Sequence, residues 1–335
     1  MMNVSNSIRK YSGGSLPWFL LLISALLVLA IAIAVGSAGL SFADIFAVVT
    51  TKSASINSIH QAILFNLRLP RALNAFAIGG LLALSGIYMQ ALLRNPLADP
   101  FVIGTSGGAA VAALIAMLLG LGSIAIQGFS IAGAFATTLL VFALAHAEGS
   151  WSPTRLLLTG VVVAAAAGAL VTLLLALGDE SHLRSMLFWL MGEITTQSPA
   201  PLWWLLIVST GCTWILARHL NLLARGEVQA QSLGLNIKQM RIGLFLVSAI
   251  LTASVVTRAG TIGFIGLITP HLARMIVGAD HRRVVPAAVL LGGILLTLAD
   301  TAARTLFAPR QLPVGALTAL IGVPIFLSLM FARRR

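Results

Sequence analysis

The chain of 335 residues is poor in charge, with nine Asp and Glu, 21 Lys and Arg, and charged residues at only 9%. It holds one cysteine, Cys212, and this excludes a disulfide framework within the chain and any cysteine-held metal cluster. Soluble catalytic signatures are missing: there is no G-x-x-x-x-G-K-[ST], no H-E-x-x-H and no G-x-S-x-G. The stretch "RNPLADPFVIGTSGG" (94–108) has glycines but no lysine to hold a nucleotide's outer phosphates. The one cluster of acids and histidine, Asp179 to His182, comes from a single short segment and reads as a solvated loop rather than a metal site. No catalytic residue, metal site or bound cofactor is expected.

What is abundant is apolar. Hydrophobic residues make up 59% of the chain and the mean hydropathy is +1.00, more than one soluble core can bury. The reading is an all-α polytopic membrane protein. A crossing helix needs roughly 20 mostly apolar residues. Ten runs qualify, near 17–36, 61–93, 102–119, 124–145, 155–177, 201–217, 241–257, 262–277, 284–299 and 313–331. The second is over-long, and the sixth and eighth are short. The first follows Arg9 and Lys10, but its apolar stretch from Leu16 to Val35 exceeds the roughly 7–15 residues of a signal core, so an uncleaved helix is expected.

A net charge of +12 would point to nucleic acid in a soluble chain; in a membrane chain the placement of charge matters more. Ten crossings put both termini on one side. The even loops on that side carry Arg94, Arg155, Arg218, Arg225, Lys238, Arg241, Arg274, Arg282 and Arg283, and the ends add Arg9, Lys10 and Arg333 to Arg335. Both termini, including a tail at 1–15, are therefore expected in the cytoplasm, with no nucleic-acid partner. Lys52, Arg68, Arg71, Arg184, Arg258, Arg304 and Arg310 fall outside and need a separate reason.

An ion-coupled secondary transporter, the alternative class, would keep acids in mid-membrane. Asp44, Asp99, Glu148, Asp179, Glu180, Glu193, Glu227 and Asp280 instead fall in loops or at helix ends. Only Asp300 is placed within a span, and Arg304 one helical turn on makes a structural ion pair the simpler account. Small residues recur every four positions at Ala75, Gly79 and Ala83, at Gly160, Ala164 and Gly168, and at Gly315 and Ala319, a pattern for close helix packing. The longest cytoplasmic connector, 218–241, holds a helix-competent stretch from Gly226 to Leu233, a stop at Gly234, and a second short helical stretch led by Leu235. Connectors between packed helices are usually shorter, so this one suits docking to a soluble protein.

Four blocks carry a family resemblance: "RLPRALNAFAIGGLLALSGIYMQALLRNPLADPFVIGTSGGA" (68–109), "GEVQAQSLGL" (226–235), "GTIGFIGLITPHLARMIVGADHR" (260–282) and "LPVGALTALIGVPIFL" (312–327). Together they resemble the FecCD-type permeases, membrane subunits of type II ATP-binding-cassette importers for iron-siderophores, haem and cobalamin. The resemblance runs from about residue 17 to the C-terminus. It implies one transmembrane domain over 1–335 with about ten helices, in the plasma (inner) membrane and paired with a second copy. It also implies two separate ATPase subunits that use the ATP, and a periplasmic or lipid-anchored binding protein. Transport would proceed by alternating access.

Residue roles follow from the same resemblance. ATPase docking falls on Glu227, Val228, Gln231, Leu233 and Gly234, and binding-protein docking on Arg68, Arg71 and Arg304. An inner gate falls on Asn95 and Leu97 and on Ser152 and Thr154. Pro153 departs from the family pattern there, and Ser152 doubles as a possible helix cap. In "GTIGFIGLITPH", Gly260, Gly263 and Gly266 mark a close approach or an irregular helix start, and Pro270 a kink. His271 and Arg274 would face the cytoplasm. The aromatics and methionines from Leu183 to Trp204 suit a vestibule or an interfacial belt equally. Nothing separates the three substrates.

Overall fold

The computed structural model describes residues 15–36, 58–146 and 152–332. The expected tail with Arg9 and Lys10, together with Asp44, Lys52, Glu148 and Arg333 to Arg335, lies outside the described residues. Twelve helices are used below: α1 (Leu16–Ala34), α2 (Leu69–Leu93), α3 (Thr105–Leu118), α4 (Ser123–His146), α5 (Pro153–Leu177), α6 (Glu180–Met191), α7 (Ala200–Ala224), α8 (Glu227–Ser232), α9 (Ile237–Ala259), α10 (Ile265–Val277), α11 (His281–Thr305) and α12 (Val314–Ala332). Seven helices among the described residues are long and apolar enough to cross a bilayer, and α3, α10 and α12 are shorter apolar helices. Together they match the ten expected runs. Helices are forced on such runs because lipid offers no partner for backbone amides and carbonyls.

The over-long second run is one continuous rod. Ser58–Ala62 leads into a π-helical segment, Ile63–Arg68, and then into α2. The π register sits just before Pro70, whose ring crowds the carbonyl four residues back and whose nitrogen donates nothing; the amide of Leu69 reaches back to Leu64 instead. The sixth run is not short. α7 continues past Arg218 to Ala224, and α9 starts at Ile237, so the connector is much tighter than 218–241 and holds one short helix, α8, rather than two. The expected loop at Asp179 to His182 is the start of α6, with Asp179 at the N-cap.

α2 is the axis of the bundle, with almost every residue from Ala72 to Leu93 buried. The ridge of small residues explains how α11 comes so close: a Cβ on Gly79 would lie 2.1 Å from the Gly292 carbonyl oxygen, and one on Gly292 would lie 2.3 Å from that of Gly79. Gly160 packs in the same way on the Val102 carbonyl, whereas Gly168 faces open space and takes no part in a close crossing. Hydroxyls tie α2 to α9, where Ser85 Oγ lies 2.8 Å from both Ser248 Oγ and Thr252 Oγ1. Outward positions on α1 and α5, such as Leu20, Leu27, Val162 and Leu173, are exposed apolar side chains suited to lipid.

Two spans begin irregularly, and the approach to one meets the start of the other. The chain reaches α3 through a turn and a 3₁₀ segment, Pro100–Ile103, and reaches α10 through Gly260 to Phe264, with Phe264 at φ 69°. Pro100 sits against Gly266, and the Gly266 carbonyl lies against Gly86 of α2, leaving no room for a Cβ at either glycine. Pro270 removes the amide that would have bonded that carbonyl. The Asp99 carboxylate accepts from Phe101 N at 2.8 Å and lies close to the Phe264 amide, so one side chain sits between the two lead-in segments. Irregular backbone at this depth is tolerated because protein encloses it.

Candidate functional site

The expected docking residues form a compact surface feature. Gly226 (φ 113°) opens α8, and Gly234 (φ 85°) closes it. Leu235 N bonds Ala230 O at 3.0 Å and Gly234 N bonds Gln231 O at 2.9 Å, the paired bonds of a Schellman ending, which wants glycine at the left-handed position. Ala230 is fully buried and seats the helix. Val228 is 82% exposed and Leu233 62%, two bare apolar side chains. Gln231 is exposed as well. Glu227 behaves differently: its Oε1 lies 3.3 Å from Arg94 Nη1 and is also bonded by Arg241.

Arg94 ends α2 in the left-handed region, and the turn bearing Asn95 and Leu97 follows at once. Asn95 Oδ1 accepts from Leu97 N at 2.9 Å, Asn95 N bonds Gln90 O at 3.2 Å and Ala98 N bonds Asn95 O at 3.1 Å. Leu97 is 44% exposed. Ser152 occupies the N-cap of α5 but makes no side-chain cap bond, and Thr154 is exposed in the first turn. Further along α5, Gly160 meets Val102, so α5 and the segment after the turn pack on each other.

The three outer arginines turn inward. Arg71 Nε lies 3.1 Å and Arg304 Nε 3.0 Å from the Asp300 carboxylate, which is 1% exposed. Arg68 Nη1 donates to the carbonyls of Ile33 at 3.2 Å and Ala34 at 2.7 Å, and Arg304 donates to that of Ala32 at 3.3 Å. Together they satisfy the last carbonyls of α1, groups that a helix end leaves without partners. A Cβ at Gly36 would lie 2.8 Å from the Arg68 guanidinium, which would have to shift to admit it. The pairing of Asp300 with Arg304 agrees with its spacing; Arg71, on another helix, carried no local signal.

One feature escaped the sequence reading. Asn74 of α2, 1% exposed, donates to the carbonyls of Thr195 at 2.9 Å and Gln197 at 2.8 Å and so holds down the outer segment after α6. Beside that segment lies a cavity of about 500 Å³, bordered by Gln127, Arg184, Phe188, Trp189, Glu193 and Arg258. Phe188 and Trp189 of the 183–204 stretch thus line a cavity. Among the described residues no group of His, Cys, Asp and Glu is placed to hold a metal ion.

Known proteins match this arrangement over nearly its full length. The profile of the FecCD transport family matches residues 21–332. The hemin transport system permease protein of Yersinia pestis is 41% identical over 326 residues, 94% of this chain and 96% of that protein. The molybdate import system permease protein of Haemophilus influenzae is 35% identical, covering 96% and 97% of the two chains. The vitamin B12 import system permease protein of Shigella boydii is 35% identical over 98% of each. A solved structure described as an inward-facing metal-chelate type ABC transporter superposes with a TM-score of 0.82 at 33% identity, over 94% of this chain and 98% of that one.

Proposed function

Because this chain belongs to the FecCD transport family, a family of multi-pass permease subunits of ABC transporters, we propose that it imports a metal chelate by ATP-driven alternating access. The observation that carries the reading is α8, a glycine-bounded surface helix with Val228 and Leu233 bare. An apolar pair of this kind fits a groove on a soluble partner. The chain has no phosphate loop of its own, so the partner is a separate ATPase, and two of them serve a homodimer. The chain sits in the plasma membrane with both termini cytoplasmic, as the basic loops favour.

A bulky chelate cannot shed its polar groups into lipid, so it needs a cavity open to one side at a time. ATP binding would move α8, and the gate turn at Asn95 and Leu97, with Ser152 and Thr154 at the start of α5, would open or close the inner end. The nucleotide state has only to favour one access state over the other. On the outer side, Arg71 and Arg304 share the Asp300 carboxylate and Arg68 lies near Arg304, which leaves Arg68, Arg71, Arg304 and Asp300 with surplus positive charge. Such a field would orient the acidic lobes of a periplasmic or lipid-anchored binding protein. Haem, ferric siderophores and cobalamin are the chelates to test, haem first. Uptake of each by cells with and without this chain checks the class, and loss of none of the three on deletion would overturn it.

A further inference from the structure

The contact between α8 and the gate turn is built from charge. Arg94 adopts φ 50°, a region that a residue with a Cβ enters at a cost, where glycine is the usual choice. Its guanidinium lies 3.3 Å from Glu227 Oε1, and Arg241, in the first turns of α9, bonds the same oxygen. A single carboxylate on α8 therefore joins the end of α2 to the start of α9. Beyond Arg94 the turn is tied together by the Asn95 bonds to Leu97, Gln90 and Ala98. It also has room to move: a cavity of about 350 Å³ lies beside it, lined by Gln90, Arg94, Pro96, Leu223, Arg274 and His281.

We propose that Glu227 is a positioning residue that passes the displacement of α8 to the turn from Arg94 to Leu97, and that its carboxylate serves this link rather than the ATPase surface. The inference rests on α8 being the ATPase-docking helix. The division of labour is visible on the helix itself: Val228 and Leu233 are bare, whereas Glu227 is 26% exposed and already engaged by two cations.

The test uses the permease with its ATPase and binding protein in proteoliposomes. Two quantities are read: affinity for the ATPase, and substrate imported per ATP hydrolysed. Glu227→Gln and Arg94→Gln should each lower import per ATP about fivefold, the size of one surface ion pair used as a coupling energy. The double variant should fall no further than either single one, Arg94→Lys should retain most of the coupling, and ATPase affinity should stay within about twofold throughout. Lost ATPase affinity in Glu227→Gln, or losses that add in the double variant, would overturn the link. Val228→Asp reads docking alone. Unchanged affinity in that variant would remove the docking assignment, while lost affinity there with normal coupling in the Glu227 variants would remove only the link.

Discussion

Replacing Asp300 by Asn keeps the shape of the side chain and deletes one charge where two guanidiniums depend on it. Arg71 and Arg304 approach the carboxylate at 3.1 and 3.0 Å, their side chains are 12% and 8% exposed, and Asp300 itself is 1% exposed. Arg68 lies close enough to Arg304 to feel its charge. Breaking a buried pair by removing one partner costs about 3–5 kcal/mol, because the charge left behind is uncompensated. The remaining exposure of Arg71 argues for the lower end, about 3 kcal/mol. The end of α1 should loosen with it, since Arg304 and Arg68 also hold its carbonyls. Thermal unfolding of the purified permease in detergent, followed by fluorescence-detected size exclusion, reads the effect. Asp300→Asn should lower the midpoint by several degrees, and adding Arg304→Met should recover part of the loss by removing one stranded cation. A midpoint equal to wild type in Asp300→Asn would refute the buried cluster.

Three further variants separate packing from docking. Gly79→Val should destabilise the bundle by at least about 1–3 kcal/mol, since even a Cβ would stand 2.1 Å from the Gly292 carbonyl; the same thermal assay checks it. Val228→Asp changes an 82% exposed side chain, so the midpoint should hold within about 0.5 kcal/mol while ATPase affinity drops by roughly tenfold or more, measured on permease in nanodiscs. A Cβ at Gly234 would meet no neighbouring atom within 4 Å, but a leucine there must hold φ 85°, so Gly234→Leu should leave the fold intact and disturb α8. ATP hydrolysis that continues without uptake is the expected result, and normal transport would remove Gly234 from the docking element.

The ten spans were legible because lipid enforces a simple rule: long apolar runs must be helices, and that rule is written in composition. The apolar runs were legible, but helix ends were not. The polar "RHLN" after Ala217 marks where α7 leaves the apolar zone, yet its backbone goes on bonding itself for another two turns. The ridge at Gly79 pointed to a close crossing, while the identical spacing at Gly168 led to open space, because a ridge records which backbones are able to approach and not which ones do. Partners distant in sequence were invisible. Arg71 finds Asp300 across 229 positions and Glu227 finds Arg94 across 133, and neither pair shares a helix face that spacing alone could reveal. The resemblance named α8 as a unit; only geometry separates its bare side chains from its engaged one.

Import driven by ATP through a partner that docks on α8 is tested most directly by chelate uptake into proteoliposomes. These hold the permease, its ATPase and its binding protein, with ATP inside or outside and with ionophores that collapse ion gradients. Uptake should require ATP on the ATPase side, survive the ionophores and disappear in Val228→Asp. Uptake that persists without ATP and vanishes with the gradient would contradict ATP-driven import.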